Sequence, residues 1–163
     1  MEKERKPKET AAIRAKLDSF VALQRKIDNQ IERLEALNSS MYAPSAPNLT
    51  GMPGAPHDGA SKTERMYEKK TELEAKIRRL TEKEGRLRKE LEQLIEKMDD
   101  PDEQTVIEMR YLDRAEWDQI TSVLFGDRCD YVDRYDIYLN RSYKKHGHAL
   151  QTLARLYNAQ HPE

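Results

Sequence analysis

Two stretches of this sequence repeat apolar residues at alternating steps of three and four, and no other feature limits the fold as much. In the first, Ile13, Leu17, Phe20, Gln24, Ile27, Ile31 and Leu34 form the series. In the second, Leu73, Ile77, Leu80, Glu84, Leu87, Leu91, Leu94 and Met98 do the same. A stripe of that period is narrow on an α-helix and is the seam of a coiled coil. Gln24 and Glu84 place one polar residue in each seam, which sets register at a cost in stability. The spacing predicts a helix over residues 9–38, after a frayed start at 1–8, and a second from a capping box at Ser61-Lys62-Thr63-Glu64 to about Met98. Between them, residues 39–60 hold Pro44, Pro47, Pro53 and Pro56 with Gly51, Gly54 and Gly59. That density of helix breakers reads as a mobile linker, long enough for the helices to fold back antiparallel. An intramolecular hairpin and a homodimer through the coiled coil satisfy the same stripes.

Composition agrees with long exposed helices. Charged residues make up 36% of the 163 and aromatics 7%, too polar a mixture for one compact domain of this length. No run approaches the roughly 18 apolar residues of a membrane span, and the charged N-terminus lacks the apolar centre of a signal peptide. The expectation is a soluble, cytoplasmic protein with no membrane partner. Cys129 is the one cysteine, so no internal disulfide forms. No phosphate-binding loop or catalytic triad occurs, and the carboxylates concentrate at helix starts, where they act as caps. Neither enzymatic activity nor a cofactor is expected. His146 and His148 stand two apart, a spacing that diverges on a helix, and no neighbouring Cys or acid completes a metal site.

Residues 99–163 read as a separate small domain of three helices. Asp100-Pro101-Asp102-Glu103 supplies an N-cap acceptor, a proline at the first helical position and Glu103 reaching back. Val106, Ile107 and Tyr111 come next on the apolar face. Asp113-Arg114-Ala115-Glu116 repeats the capping pattern and opens a second helix with Trp117, Ile120, Val123 and Leu124 facing inward, stopped by Gly126. Trp117 is expected in the core. A third helix carries Val132, Tyr135, Leu139, Tyr143, His146, Leu150, Leu153 and Tyr157, with His146 as a packed, hydrogen-bonded core residue. Gly147 inside it implies a bend or the close approach of another backbone.

Charge is segregated along this domain. Residues 99–126 carry eight acids against Arg110 and Arg114, a net of −6. Residues 138–157 carry Arg141, Lys144, Lys145 and Arg155 with no acid, a net of +4. Arg141, Lys144, Lys145 and His148 fall opposite the apolar stripe. They suit a phosphate backbone or the guanine edge in a major groove, although a plain solvated basic face has the same pattern.

The runs Gln104-Thr105-Val106-Ile107-Glu108-Met109-Arg110-Tyr111-Leu112, Trp117-Asp118-Gln119-Ile120 and His146-Gly147-His148-Ala149-Leu150-Gln151-Thr152-Leu153 resemble region 4 of sigma-70-type factors. The closer resemblance is to the small sigma-region-4-like regulators of phages and mobile elements in Gram-positive bacteria, of the ArpU type. The segment Ala43-Pro44-Ser45-Ala46-Pro47 is similar to them as well. The resemblance implies that Val106, Ile107, Tyr111, Trp117 and Ile120 are core positions and that Arg141, Lys144, Lys145 and His148 belong to a recognition helix. It also implies a bacterial host cell. Residues 127–137 depart from it as an insertion of net −2, read as an N-terminal extension of the third helix.

Together these features predict an all-α protein: a long coiled-coil helical hairpin over 1–98, with its linker at 39–60, followed by a small helix-turn-helix, sigma-region-4-like domain over 99–163. The expected function is DNA-binding transcription regulation on double-stranded DNA, with RNA polymerase as a further partner. The alternative is a coiled-coil adaptor that grips a protein such as RNA polymerase without touching DNA.

Overall fold

The computed structural model describes residues 9–43 and 59–162, and every regular element among them is helical. α1 spans Ala11–Tyr42, α2 Gly59–Ile95, α3 Pro101–Ile107, α4 Trp117–Phe125 and α5 Tyr135–Gln160, with one π-helical turn, Glu108–Leu112, continuing α3. The expected frayed start at 1–8 and the linker interior at 44–58 lie outside the described residues. Both long helices reach further into the expected linker than its composition predicts. α1 continues to Tyr42, with Ser40 Oγ donating to the Ala36 carbonyl at 3.1 Å. α2 opens at Gly59, which leaves Ser61 inside the helix rather than at its cap. None of the described helices is long and apolar enough to cross a membrane.

The chain divides into two compact units, one of the residues up to Ala22 with those from Gly85 onward, the other Leu23–Glu84. The expected boundary between 98 and 99 falls inside the first unit. In the second unit, Arg33, Ala36 and Leu37 of α1 flank Leu73 and Lys76 of α2, and Met41 and Tyr42 flank Met66 and Tyr67, so the two helices run in opposite directions. Their seam residues Ile27, Leu34, Leu73, Ile77 and Leu80 are half-buried. Ile31, expected in the seam, is 39% exposed, while Gln30 beside it is buried. A helix of 3.6 residues per turn drifts against a 3.5-residue repeat, and one position of drift exchanges these two.

The first unit holds the apolar core. Ile13, Leu17 and Phe20 of α1 meet Leu91, Leu94 and Ile95 at the end of α2, Met98 just past it, Ile107 and Leu112, and Ala149, Leu150, Leu153 and Ala154 of α5. Each fully buried aliphatic or aromatic side chain contributes about 1.5–3 kcal/mol. This shared core joins the ends of the long helices to the small ones. A second cluster of Val106, Ala115 and Ile120 lies beneath Met109, Trp117 and Leu124. Trp117 is therefore half-buried at the edge of that cluster rather than enclosed.

The corner between α2 and α3 is fixed by polar groups. The Gln104 side-chain amide donates to the Ile95 and Met98 carbonyls at 3.1 and 2.9 Å, satisfying acceptors that the end of α2 leaves open. Asp100 caps α3 as the sequence predicts, accepting from the Asp102 and Glu103 amides at 2.9 and 3.4 Å.

The π turn displaces the start of α4. Its closing bond runs from the Asp113 amide to the Glu108 carbonyl at 3.0 Å, and the Ala115 amide reaches the Met109 carbonyl at 2.7 Å. Arg114 adopts a left-handed φ of 57°. Asp113 ends the π turn, so the cap of α4 moves to Glu116, whose amide donates to Gln119 Oε1 at 3.0 Å. On α4 the inward positions are Ile120 and Thr121, and Val123 is 62% exposed, contrary to the expected stripe.

Candidate nucleic-acid interface

Residues 127–134 do not extend α5. They form successive turns, with amides of Arg128, Tyr131 and Arg134 donating to Phe125, Arg128 and Asp130 carbonyls at 3.0, 3.1 and 2.9 Å. Val132, expected in the apolar stripe, is 85% exposed. The helix begins at Tyr135, so of the acidic segment expected at its front residues 127–134 are turns and only 135–137 are helical. Two carboxylates of this region are engaged by phenols. Asp130 accepts from Tyr138 Oη at 2.6 Å, which holds that carboxyl below its ordinary range, and Asp118 accepts from Tyr135 Oη, which pushes the Tyr135 phenol up to about 12.

In the first half of α5 the buried face is one residue out of phase with the predicted one. Tyr138 and Ser142 point inward, whereas Tyr143 is 43% exposed. Thr121 Oγ1 donates to Ser142 Oγ at 3.0 Å, and Ser142 donates to the Tyr138 carbonyl at 3.1 Å, so a hydroxyl is at home in the interior. Further on, Ala149, Leu150, Leu153 and Ala154 are buried.

His146 sits where expected. Its Nε2 lies 2.9 Å from Tyr111 Oη, and its ring stacks on Tyr111 and meets Trp117 edge-on at centroid distances of 5.7 and 5.3 Å. Burial, aided by the charges of Arg14 and Arg110, lowers its pKa to about 4, so the ring is neutral at physiological pH. Burial likewise raises the Tyr111 phenol. Gly147 does not mark a close approach: a Cβ there meets nothing within 4 Å.

The four candidate contact residues separate into two environments. Arg141, Lys144 and His148 are exposed. Lys145 is half-buried, its Nζ 3.0 Å from Asp100 Oδ2, which raises the ammonium pKa and lowers that of the carboxyl. At 3.6 residues per turn, Ile137, Arg141, Lys144, His148 and Arg155 fall within about 60° of one another on the side of α5 away from the core, and Lys145 lies at its flank. Ile137, 47% exposed, and Asn140 were not among the expected contact residues. The signal for them is present in the sequence, since Ile137 stands four residues before Arg141 and Asn140 four before Lys144.

Elsewhere, Glu92, Glu96 and Asp113 surround Glu108, whose partial burial and acidic neighbours raise its pKa. Among the described residues no group of three His, Cys, Asp or Glu side chains forms a metal site. Cys129 is exposed.

Residues 57–137 match a protein family described as a protein of unknown function, DUF1492. The match takes in α2, α3, the π turn, α4 and the turns before α5. No curated protein and no solved structure matches the chain.

Proposed function

We propose that the chain is a non-enzymatic, DNA-binding transcription regulator of phage origin, in which a coiled-coil helical hairpin carries a sigma-region-4-like helix-turn-helix. α3 with α4 would form its supporting helices and α5 its recognition helix. The observation that carries this reading is the outer face of α5: Arg141, Lys144 and His148 are exposed, with Arg155 further along, on a stretch from 138 to 157 that contains no acid. Such a face presents cations to a phosphate backbone with no acid interleaved among them. Lys145 serves the same contact indirectly, holding α5 on α3 through Asp100. The seam of the second unit offers a route to a homodimer that would engage two half-sites, and RNA polymerase is the natural protein partner.

Retention of the whole chain on duplex DNA over a salt series tests the reading. Each phosphate contact contributes about 0.9 to the slope of log K against log salt. Lys144→Ala should therefore weaken all sequences alike and lower the slope by about that amount, and the Arg141→Ala/Lys144→Ala double variant should lose most retention. Unchanged binding in the double variant moves the function elsewhere. The second reading, an adaptor for a protein such as RNA polymerase, draws on the acidic corner around Glu108. Polymerase capture without any DNA retention would favour it.

A further inference from the structure

We propose that Ile137, Asn140 and Arg141 read base edges in the major groove while Lys144, one turn further on, holds the phosphate backbone. The assignment rests on the DNA-binding reading above and divides its basic face into reading and anchoring positions.

Arg141 is held in place in a way that suits reading. Its guanidinium lies over the Tyr138 ring, 5.2 Å from the centroid. That ring packs against Phe125 and Tyr131 at 5.2 and 6.0 Å, and its hydroxyl is tied to Asp130 at 2.6 Å. Asp130 is in turn 3.6 Å from Arg134. The platform under Arg141 is thus rooted in α4 and in the turns before α5, not in the surface of α5 alone. A planar guanidinium already docked loses less rotamer freedom on binding, and its fork matches guanine O6 and N7. Asn140 precedes it on the same exposed side, and a carboxamide pairs with adenine N6 and N7. Ile137 lies one turn earlier. An exposed isoleucine is ordinary by itself, but one in register with Asn140 and Arg141 is placed for the methyl group of thymine. From Ile137 to Lys144 the rise is roughly 10 Å, which a groove of about 12 Å accepts. Asp133 and Asp136, both exposed near the same end, repel phosphates and keep affinity for unselected DNA low. Discrimination then depends on contacts made inside the groove.

The test is selection of the full chain on a randomised duplex pool, followed by binding of the selected duplex to wild type, Ile137→Ala, Asn140→Ala, Arg141→Lys and Lys144→Ala. All four positions are exposed, so thermal unfolding should stay close to wild type and report folding independently. Arg141→Lys keeps the charge and loses the fork. It should lose about tenfold or more of the preference at one G·C pair while leaving the salt slope unchanged. Replacing thymine by uracil should weaken wild type several-fold at one position and leave Ile137→Ala indifferent. Losses in the three reading variants that are equal for every duplex would overturn the assignment while leaving DNA binding intact. Failure of wild type to retain any duplex would overturn both.

Discussion

The Thr121 hydroxyl donates to the Ser142 hydroxyl across 3.0 Å, and both side chains are fully buried. This contact sits between α4 and α5, where a helix-on-helix interface would ordinarily be apolar, and it fixes the face that α5 turns inward.

Ser142→Ala should strand the Thr121 donor in the interior and cost about 1–3 kcal/mol. Thr121→Val leaves Ser142 its bond to the Tyr138 carbonyl and should cost closer to 1 kcal/mol. The double variant should be more stable than the two losses added together, because no unpaired hydroxyl remains. Urea unfolding of the four proteins checks this; strictly additive losses would contradict it.

Asp100 both caps α3 and pairs with Lys145. Asp100→Ala should cost about 1 kcal/mol through the lost cap. Asp100→Asn, which keeps an acceptor, should cost only a few tenths to about 1 kcal/mol, as should Lys145→Ala, because the pair is partly solvated. The Asp100 pKa is lowered, first by the Lys145 hydrogen bond, so its contribution is complete above the unfolded carboxyl pKa near ~3.9 and disappears as pH falls through the folded value. Melting temperatures measured from pH 5 downward should fall more steeply for wild type than for Asp100→Asn.

His146 predicts a separate pH window. Its folded pKa of about 4 lies below the unfolded value of roughly 6.5, so the unfolded chain takes up the proton first. Stability should be flat above that upper value and decline as pH falls toward the lower one. His146→Gln should flatten this interval while leaving the more acidic one due to Asp100. A wild-type melting temperature that stays constant across the interval would show the ring to be solvated.

Two glycines should respond with opposite signs. Gly147→Ala adds a methyl group into open space within α5 and should stabilise by about 0.5–1 kcal/mol. At Gly126, just past α4, an added Cβ collides with the Ser122 carbonyl of the backbone, so Gly126→Ala should destabilise. Thermal unfolding of both variants under one condition settles the pair.

The long helices were legible because burial there follows side-chain polarity: Ile13, Leu17, Phe20, Leu91 and Leu94 announce their own seam. The N-cap of α3 was legible because Asp100-Pro101 carries its chemistry locally. The phase of α5 was not. Its inward face includes Ser142, whose suitability depends on a hydroxyl supplied from α4, and no reading of one helix's periodicity contains that partner. The start of α4 was hidden for a different reason. The π turn uses residues at another period, which moved the cap from Asp113 to Glu116. At the candidate interface, Arg141, Lys144 and His148 stand exposed as their spacing implied. The pairing of Lys145 with Asp100 was not legible, because it is a contact between residues 45 positions apart.

The turn at Glu108–Leu112 makes this stretch uneven in its response to changes in chain length. A π turn takes up about one residue more than an α turn, so dropping one codon there would restore ordinary helical geometry and leave the chain beyond it near its present phase. Dropping one inside α3, which has no residue to spare, would swing everything beyond by about 100°. Tyr111 would then lose His146, and Arg88 would lose the Leu112 carbonyl that it now reaches at 3.4 Å. Single-residue deletions should therefore be more harmful at 102–107 than at 108–112, marking a turn that holds one residue in reserve.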